Sequence, residues 1–168
     1  MVTWTRVRYR ITQFFSTLWT SLRPVDTAYA AHHLSPTLLS LFQRMARAEQ
    51  HHGIAICRNL EAQGYADPDL LAVALLHDAG KVLAPPYLWE RVMVVLGEHF
   101  LPAQTARWSK GEPHGLRRGF VVRRMHPRWG AELARQAGAS RRTIEWIERH
   151  HASPGDDAQL AALQAADE

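Results

Sequence analysis

The stretch LLAVALLHDAGKV, residues 70 to 82, constrains this chain more than any other. From Leu70 to Leu76 every position is Leu, Ala or Val, so a helix made of them has no polar face to turn towards water. Such a helix belongs at the centre of a bundle, covered on all sides. It then meets His77, Asp78 and Lys81 within two turns. On a 3.6-residue period Val73, His77 and Lys81 share a face, with Asp78 one step round from His77. An ionised carboxylate is costly to bury unless strongly partnered. Either a His–Asp hydrogen bond inside the core or a metal cation held by both residues meets that cost.

The covering elements are also helical. Ser35-Pro36 and Asp67-Pro68 are cap-and-proline pairs, in which a side-chain oxygen takes the first free N–H groups and proline occupies the first turn. They open helices over about 36 to 47 and 68 to 80, with another over about 48 to 63 stopped by Gly64. Further helices are expected over YLWERVMVVLGEHF after Pro85-Pro86, over about 127 to 137, over 141 to 151 behind the cap Ser140, and from about Asp157 onwards. Residues 102 to 119 read as the least regular part. No segment alternates apolar and polar with period two, so the expected class is all-α.

A chain of 168 residues, 46% hydrophobic, suits one domain with a substantial core. The expected organisation is an N-terminal arginine and aromatic segment over 1 to 34 and a helical domain over 35 to 168. The net charge of +4 rests almost wholly on arginine, because Lys81 and Lys110 are the only lysines. That excess gives no nucleic-acid signal and suits a phosphate-bearing small molecule. With ten histidines and one cysteine, any metal site is expected to use imidazole and carboxylate and not thiolate. Cys57 reads as a small core residue in a reducing, cytoplasmic setting.

No apolar run approaches the ~20 residues of a membrane span. The N-terminal segment places Arg6, Arg8 and Arg10 among Trp4, Val7 and Tyr9, then presents Phe14, Phe15, Leu18 and Trp19. It lacks the layout of a signal peptide. It reads as a helix or arm packed on the domain, with peripheral contact to a membrane or a partner as the alternative.

Three more helices bring a histidine or a carboxylate to an apolar stripe. His52 shares a face with Ile56 and Leu60; His151 continues the series Ile144 and Ile147, with His150 three residues after Ile147; Asp167 continues Leu160 and Leu163. One convergent metal site accounts for these placements together.

The ordered set His52, His77-Asp78 and Asp167, centred on HDAGK, resembles the HD-domain superfamily of metal-dependent phosphohydrolases over about residues 36 to 168. HPRWGAEL at 126 to 133 and IERHH ending at 151 look like the HPxxG and HH elements of the branch that includes cyclic-dinucleotide phosphodiesterases. The resemblance implies an HD-domain helical bundle. It implies His52, His77, Asp78 and Asp167 as core metal ligands, with Asp78 bridging two ions. It assigns His126 and His150 to the second ion and His151 to that site or to substrate, and places Lys81 at a substrate phosphate. Two departures stand out. HHASPGDD replaces the GYP element, so specificity for cyclic-di-GMP is not implied. Glu49 lies three residues before His52, where trinuclear relatives use a spacing of four, so a third metal is not expected.

The expected activity is hydrolysis of a phosphomonoester or phosphodiester, nucleotide-like or a cyclic dinucleotide, with Asp78 and Lys81 catalytic. Two divalent ions are expected, Fe or Mn first, with Co, Ni and Zn compatible. Arginines 117, 118, 123, 124, 128, 141 and 142 read either as a solvated face or as a phosphate-collecting rim, in which Arg124 and Arg128 join Lys81. The plainer alternatives are a helix-cap role for His126, a helix-dipole role for His150 and His151, and a solvated Asp167. His51 reads as a surface neighbour; His32, His33, His99 and His114 read as structural or solvated; Trp89, Trp108, Trp129 and Trp146 read as core or core-edge. A di-iron oxygenase with nearly the same ligands, and a catalytically silent ligand-binding module, are the competing functions.

Overall fold

The computed structural model describes residues 23–167. Residues 1–22, with the membrane or partner contact expected of them, lie outside the described residues, as does Glu168. Nine α-helices and no strand occur among the described residues: α1 (Thr27–His33), α2 (Pro36–Arg44), α3 (Arg47–Ala62), α4 (Pro68–Leu76), α5 (Leu88–Phe100), α6 (Pro102–Trp108), α7 (Arg118–Gln136), α8 (Arg141–Arg149) and α9 (Ala158–Asp167). Short 3-10 turns cover Ala79–Val82 and Gly115–Arg117. None of these helices is long and apolar enough to cross a membrane.

The helix starts follow local chemistry. Ser35 Oγ accepts from Leu38 N–H, Asp67 Oδ1 from Asp69 and Leu70 N–H, and Ser140 Oγ from Thr143 N–H. Each satisfies donors that the first turn cannot use internally. Gly64, at φ +89°, lets the chain leave α3 in the left-handed conformation.

Helix α4 is the centre of the bundle, with Leu70 through Leu76 all buried. Around it pack Leu38, Leu41 and Phe42 of α2, Ile56, Cys57 and Leu60 of α3, Trp146 and Ile147 of α8, and Leu160 and Leu163 of α9. Ala30 of α1 and the following Leu34 join the same core, on the N-terminal side of the boundary expected at residue 35. Two glycines let backbones approach. A Cβ on Gly53 would lie 2.9 Å from the Leu75 carbonyl oxygen, and one on Gly80 would lie 1.9 Å from that of His126. The first contact seats α3 on α4; the second seats α7 on the 3-10 turn that follows α4.

Several expectations are corrected. Helix α4 stops at Leu76, with His77 as its C-cap, and Gly80 lies in the 3-10 turn. The segment expected to be irregular contains α6. Helix α7 begins at Arg118, nine residues before Pro127, which lies inside it. A proline there removes one backbone bond and costs about 3 kcal/mol. Burial of Phe120, Val121, Val122 and His126 on the same helix offsets that cost. Trp89 is exposed on α5, together with Leu88, Val92, Met93, Leu96 and Phe100.

Candidate metal centre

Three buried histidines share one construction. His77 Nδ1 donates to the Ala74 carbonyl at 3.0 Å, His126 Nδ1 to that of Val122 at 3.1 Å, and His150 Nδ1 to that of Ile147 at 2.7 Å. A carbonyl oxygen can only accept, so in each ring Nδ1 carries a proton, and whenever the ring is neutral it is Nε2 that presents a lone pair. This anchoring of the far nitrogen is the arrangement by which proteins orient imidazole ligands. The three Nε2 atoms converge. His77 Nε2 is buried without a hydrogen-bond partner among the described residues, and His126 Nε2 stands 3.2 Å from His150 Nε2. With both rings neutral, two lone pairs meet at that separation, and a shared proton or a cation between them relieves the repulsion.

Carboxylates enter between the rings. Asp78 places Oδ2 3.6 Å from His77 Nε2 and Oδ1 3.3 Å from His126 Nε2, so its two oxygens face different imidazoles. Asp167 Oδ1 lies 2.7 Å from His52 Nε2 and 3.7 Å from His77 Nε2. Within 4.8 Å limits the donor atoms fall into two groups, His52 with His77 and Asp78, and His126 with His150 and His151. Asp78 touches both.

Protonation states suit cation binding. Burial, reinforced by the surrounding histidines, holds His150 well towards the neutral form; burial does the same for His77. Burial also lowers His151, to about 3, with the Arg123 guanidinium adding to the effect. For Asp78 burial favours the acid, but Lys81, His77 and His126 outweigh it and hold the carboxyl well below its ordinary range. Asp167 is likewise held low: burial opposes ionisation, and the bond from His52 and the charge near His77 overcome it. His52 is the exception: burial lowers it, but the bond to Asp167 together with the charges of Asp78 and Asp167 moves it upward, so a cation has to displace its proton. Neutral imidazoles and ionised carboxylates are the forms that ligate metals.

Each expected site residue can now be placed. His52, His77, Asp78, His126, His150, His151 and Asp167 come together. His126 is fully buried in the middle of α7 and does not cap a helix. His151 is more exposed, and its Nε2 accepts from Arg123 Nη1. Lys81 reaches the centre, where its Nζ lies 2.6 Å from Asp78 Oδ2 and 3.3 Å from Glu49 Oε1. Arg124 lines a surface groove with Arg123 and His151, beside the second group. Arg128 is a correction: it lines another hollow with Met125, Trp129, Glu132, Arg135 and Glu148, none of them in the centre. The turn of α7 sends it to a different face from His126. His51 contacts the Arg23 carbonyl and stands apart from the cluster.

From the sequence Glu49 was weighed only as a ligand to a third metal; the structure instead buries it, bonded to Arg91 at 2.6 Å and facing Lys81. Its spacing of three from His52 was the available signal, since i and i+3 share a helix face. Gln164 was missed: it donates to the carbonyls of His150 and Ala152, tying α9 to the end of α8. Nothing in its sequence context marks that contact.

A model of the HD domain matches residues 37–168, most of the chain, and the protein belongs to that family. HD-domain proteins are generally metal-dependent hydrolases, although some members are not catalytic. No curated protein and no solved structure matches the chain significantly.

Proposed function

We propose that this protein is a binuclear metal-dependent phosphohydrolase acting on a phosphomonoester or phosphodiester of nucleotide type. The observation that carries this reading is Asp78, whose two oxygens address separate histidine groups. His52, His77 and Asp167 would hold one ion, and His126 and His150 the other, with Asp78 shared. His151 stands at the edge of the second group, where Arg123 engages it.

Divalent ions bound there supply Lewis-acid polarisation of a phosphoryl oxygen and a water activated for attack near neutral pH. The remaining work falls to side chains. Lys81 offsets the charge of Asp78 and Glu49, and its ammonium is positioned to share that role with an incoming phosphate. Arg123 and Arg124 line the groove beside His151, where guanidinium groups would orient a substrate phosphate by paired hydrogen bonds. The backbone carbonyls of Ala74, Val122 and Ile147 keep the three rings in one tautomer, so their lone pairs stay directed at the reacting region.

The test is elemental analysis of protein purified without oxygen or chelator, beside a His126→Ala variant. The wild type should carry about one more ion per chain than the variant, in keeping with a two-ion centre. Phosphate release from a phosphoester panel, run without oxygen, should fall in the variant. Equal metal content in both proteins would remove His126 from the centre. Oxygen uptake with iron and no phosphate release would establish the oxygenase instead.

A further inference from the structure

A second cluster of donor atoms lies away from this centre, between α1 and α3. His33 ends α1, while Cys57 and Glu61 stand one turn apart on α3, at i and i+4 on a common face. One donor atom from each of the three falls within 4.8 Å of the others. We propose that His33, Cys57 and Glu61 form a separate site for one divalent ion of the zinc type, clipping α1 onto the bundle.

Four observations support the assignment. The His33 side chain is only 9% exposed, and its Nε2 is a buried nitrogen without a hydrogen-bond partner among the described residues. That nitrogen faces Glu61 Oε1 at 3.5 Å, within the separation of about 3.3 to 3.8 Å between neighbouring ligands of a tetrahedral zinc ion. Tyr29 donates its hydroxyl to Glu61 Oε2, fixing the carboxylate so that the other oxygen meets His33. This is the supporting bond that metal-binding carboxylates usually have. Cys57 is a free thiol, wholly buried on the inner side, while the Glu61 side chain is 39% exposed and leaves a way in from the surface.

A packing role for Cys57 and a weak pairing of His33 with Glu61 at 3.5 Å leave the thiol out of the cluster; a bound ion accounts for all three residues and departs from the sequence expectation that no metal site here uses thiolate. Arg58, whose charge reaches the thiol, does not stand against it. Its guanidinium bonds Asp26 at 2.6 Å and stacks on the Tyr29 ring, so its charge is largely offset. Thiolate with imidazole and carboxylate selects Zn²⁺ or its neighbours over Mg²⁺ or Ca²⁺. Burial raises the Cys57 thiol to about 11, so binding forms a metal–sulfur bond and releases that proton to solvent. One proton released per ion makes the apparent affinity rise about tenfold for each pH unit above neutrality.

The chain's single cysteine makes the test specific. The main centre contains only imidazole and carboxylate donors, so any sulfur-to-cobalt charge-transfer band must come from Cys57. Titration of the full chain with Co²⁺ should produce that near-ultraviolet band, saturating with one ion at this site, and Zn²⁺ should bleach it. His33→Ala should weaken Co²⁺ binding by at least about tenfold, the scale of a lost metal-site interaction, and Cys57→Ala should abolish the band. It should persist in Asp78→Asn, which disables only the main centre. Absence of the band in folded wild-type protein with excess Co²⁺ would overturn the proposal, and needs no variant to fold. A band unchanged by both His33→Ala and Glu61→Gln would also overturn it.

Discussion

The two halves of the main centre are built differently. The half around His52 and His77 mixes imidazole with carboxylate and closes bonds of its own, His52 to Asp167 and Lys81 to Asp78. The half around His126 and His150 is imidazole alone, with two ring nitrogens 3.2 Å apart, and among the described residues the carboxylate it meets is Asp78, through Oδ1. The first persists as a hydrogen-bonded cluster without a cation; the second needs a shared proton or a cation between its two facing nitrogens. Affinity in the second half therefore depends on a residue that the first half supplies.

Asp78→Asn should break both halves together. Metal affinity and hydrolysis are expected to fall by more than about 100-fold, the upper end of what losing a supporting group alone costs. Elemental analysis and phosphate release check this, and loss of ions from one half only would show that Asp78 is not shared. Gly80→Ala attacks the seam between the halves, since its Cβ would sit 1.9 Å from the His126 carbonyl oxygen and 2.6 Å from Gly130 N. A cost of about 3 kcal/mol is expected, at the high end for overpacking, measured as a lower urea midpoint. If the protein remains folded, the His126 half should lose its ion first, because α7 must move.

The smallest effect is expected at Asp157, which links the helices carrying ligands of both halves. It accepts from Leu160 N–H at the start of α9 and from Trp146 Nε1 of α8. Asp157→Ala should cost about 1 kcal/mol at neutral pH, as for a lost helix cap. These bonds hold its carboxyl below the ordinary 3.8, so the folded state favours the ionised form. Its contribution is full above that value and is lost as pH falls through the lower folded-state value. The gap between wild type and variant in acid unfolding should therefore narrow below about pH 4, whereas a gap independent of pH would leave the carboxylate charge without a role.

Much of this was legible in the chain. Leu70 to Leu76 required a central helix, and the caps at Ser35, Asp67 and Ser140 act where local chemistry placed them. The residues read as ligands from apolar stripes and from the family motif converge, because helical periodicity reports which face turns inward. Periodicity does not report which helices meet. Pro127 read locally as the start of a helix, yet packing carried α7 through it. His33 and Cys57 are 24 positions apart, and neither has a motif to announce the other.

The residue order is therefore enough for an all-α bundle with a polar end to its greasiest helix, and for a ligand chemistry of imidazole and carboxylate. These follow from solvent exclusion, capping and donor type, which act within a few residues. The pairing of each Asp78 oxygen with a different imidazole, the diversion of Arg128 to another face, and the meeting of α1 with α3 belong to the assembled molecule. They depend on backbone approaches at Gly53 and Gly80 and on rotamers chosen by neighbours distant in sequence, whose balance is struck when the helices pack.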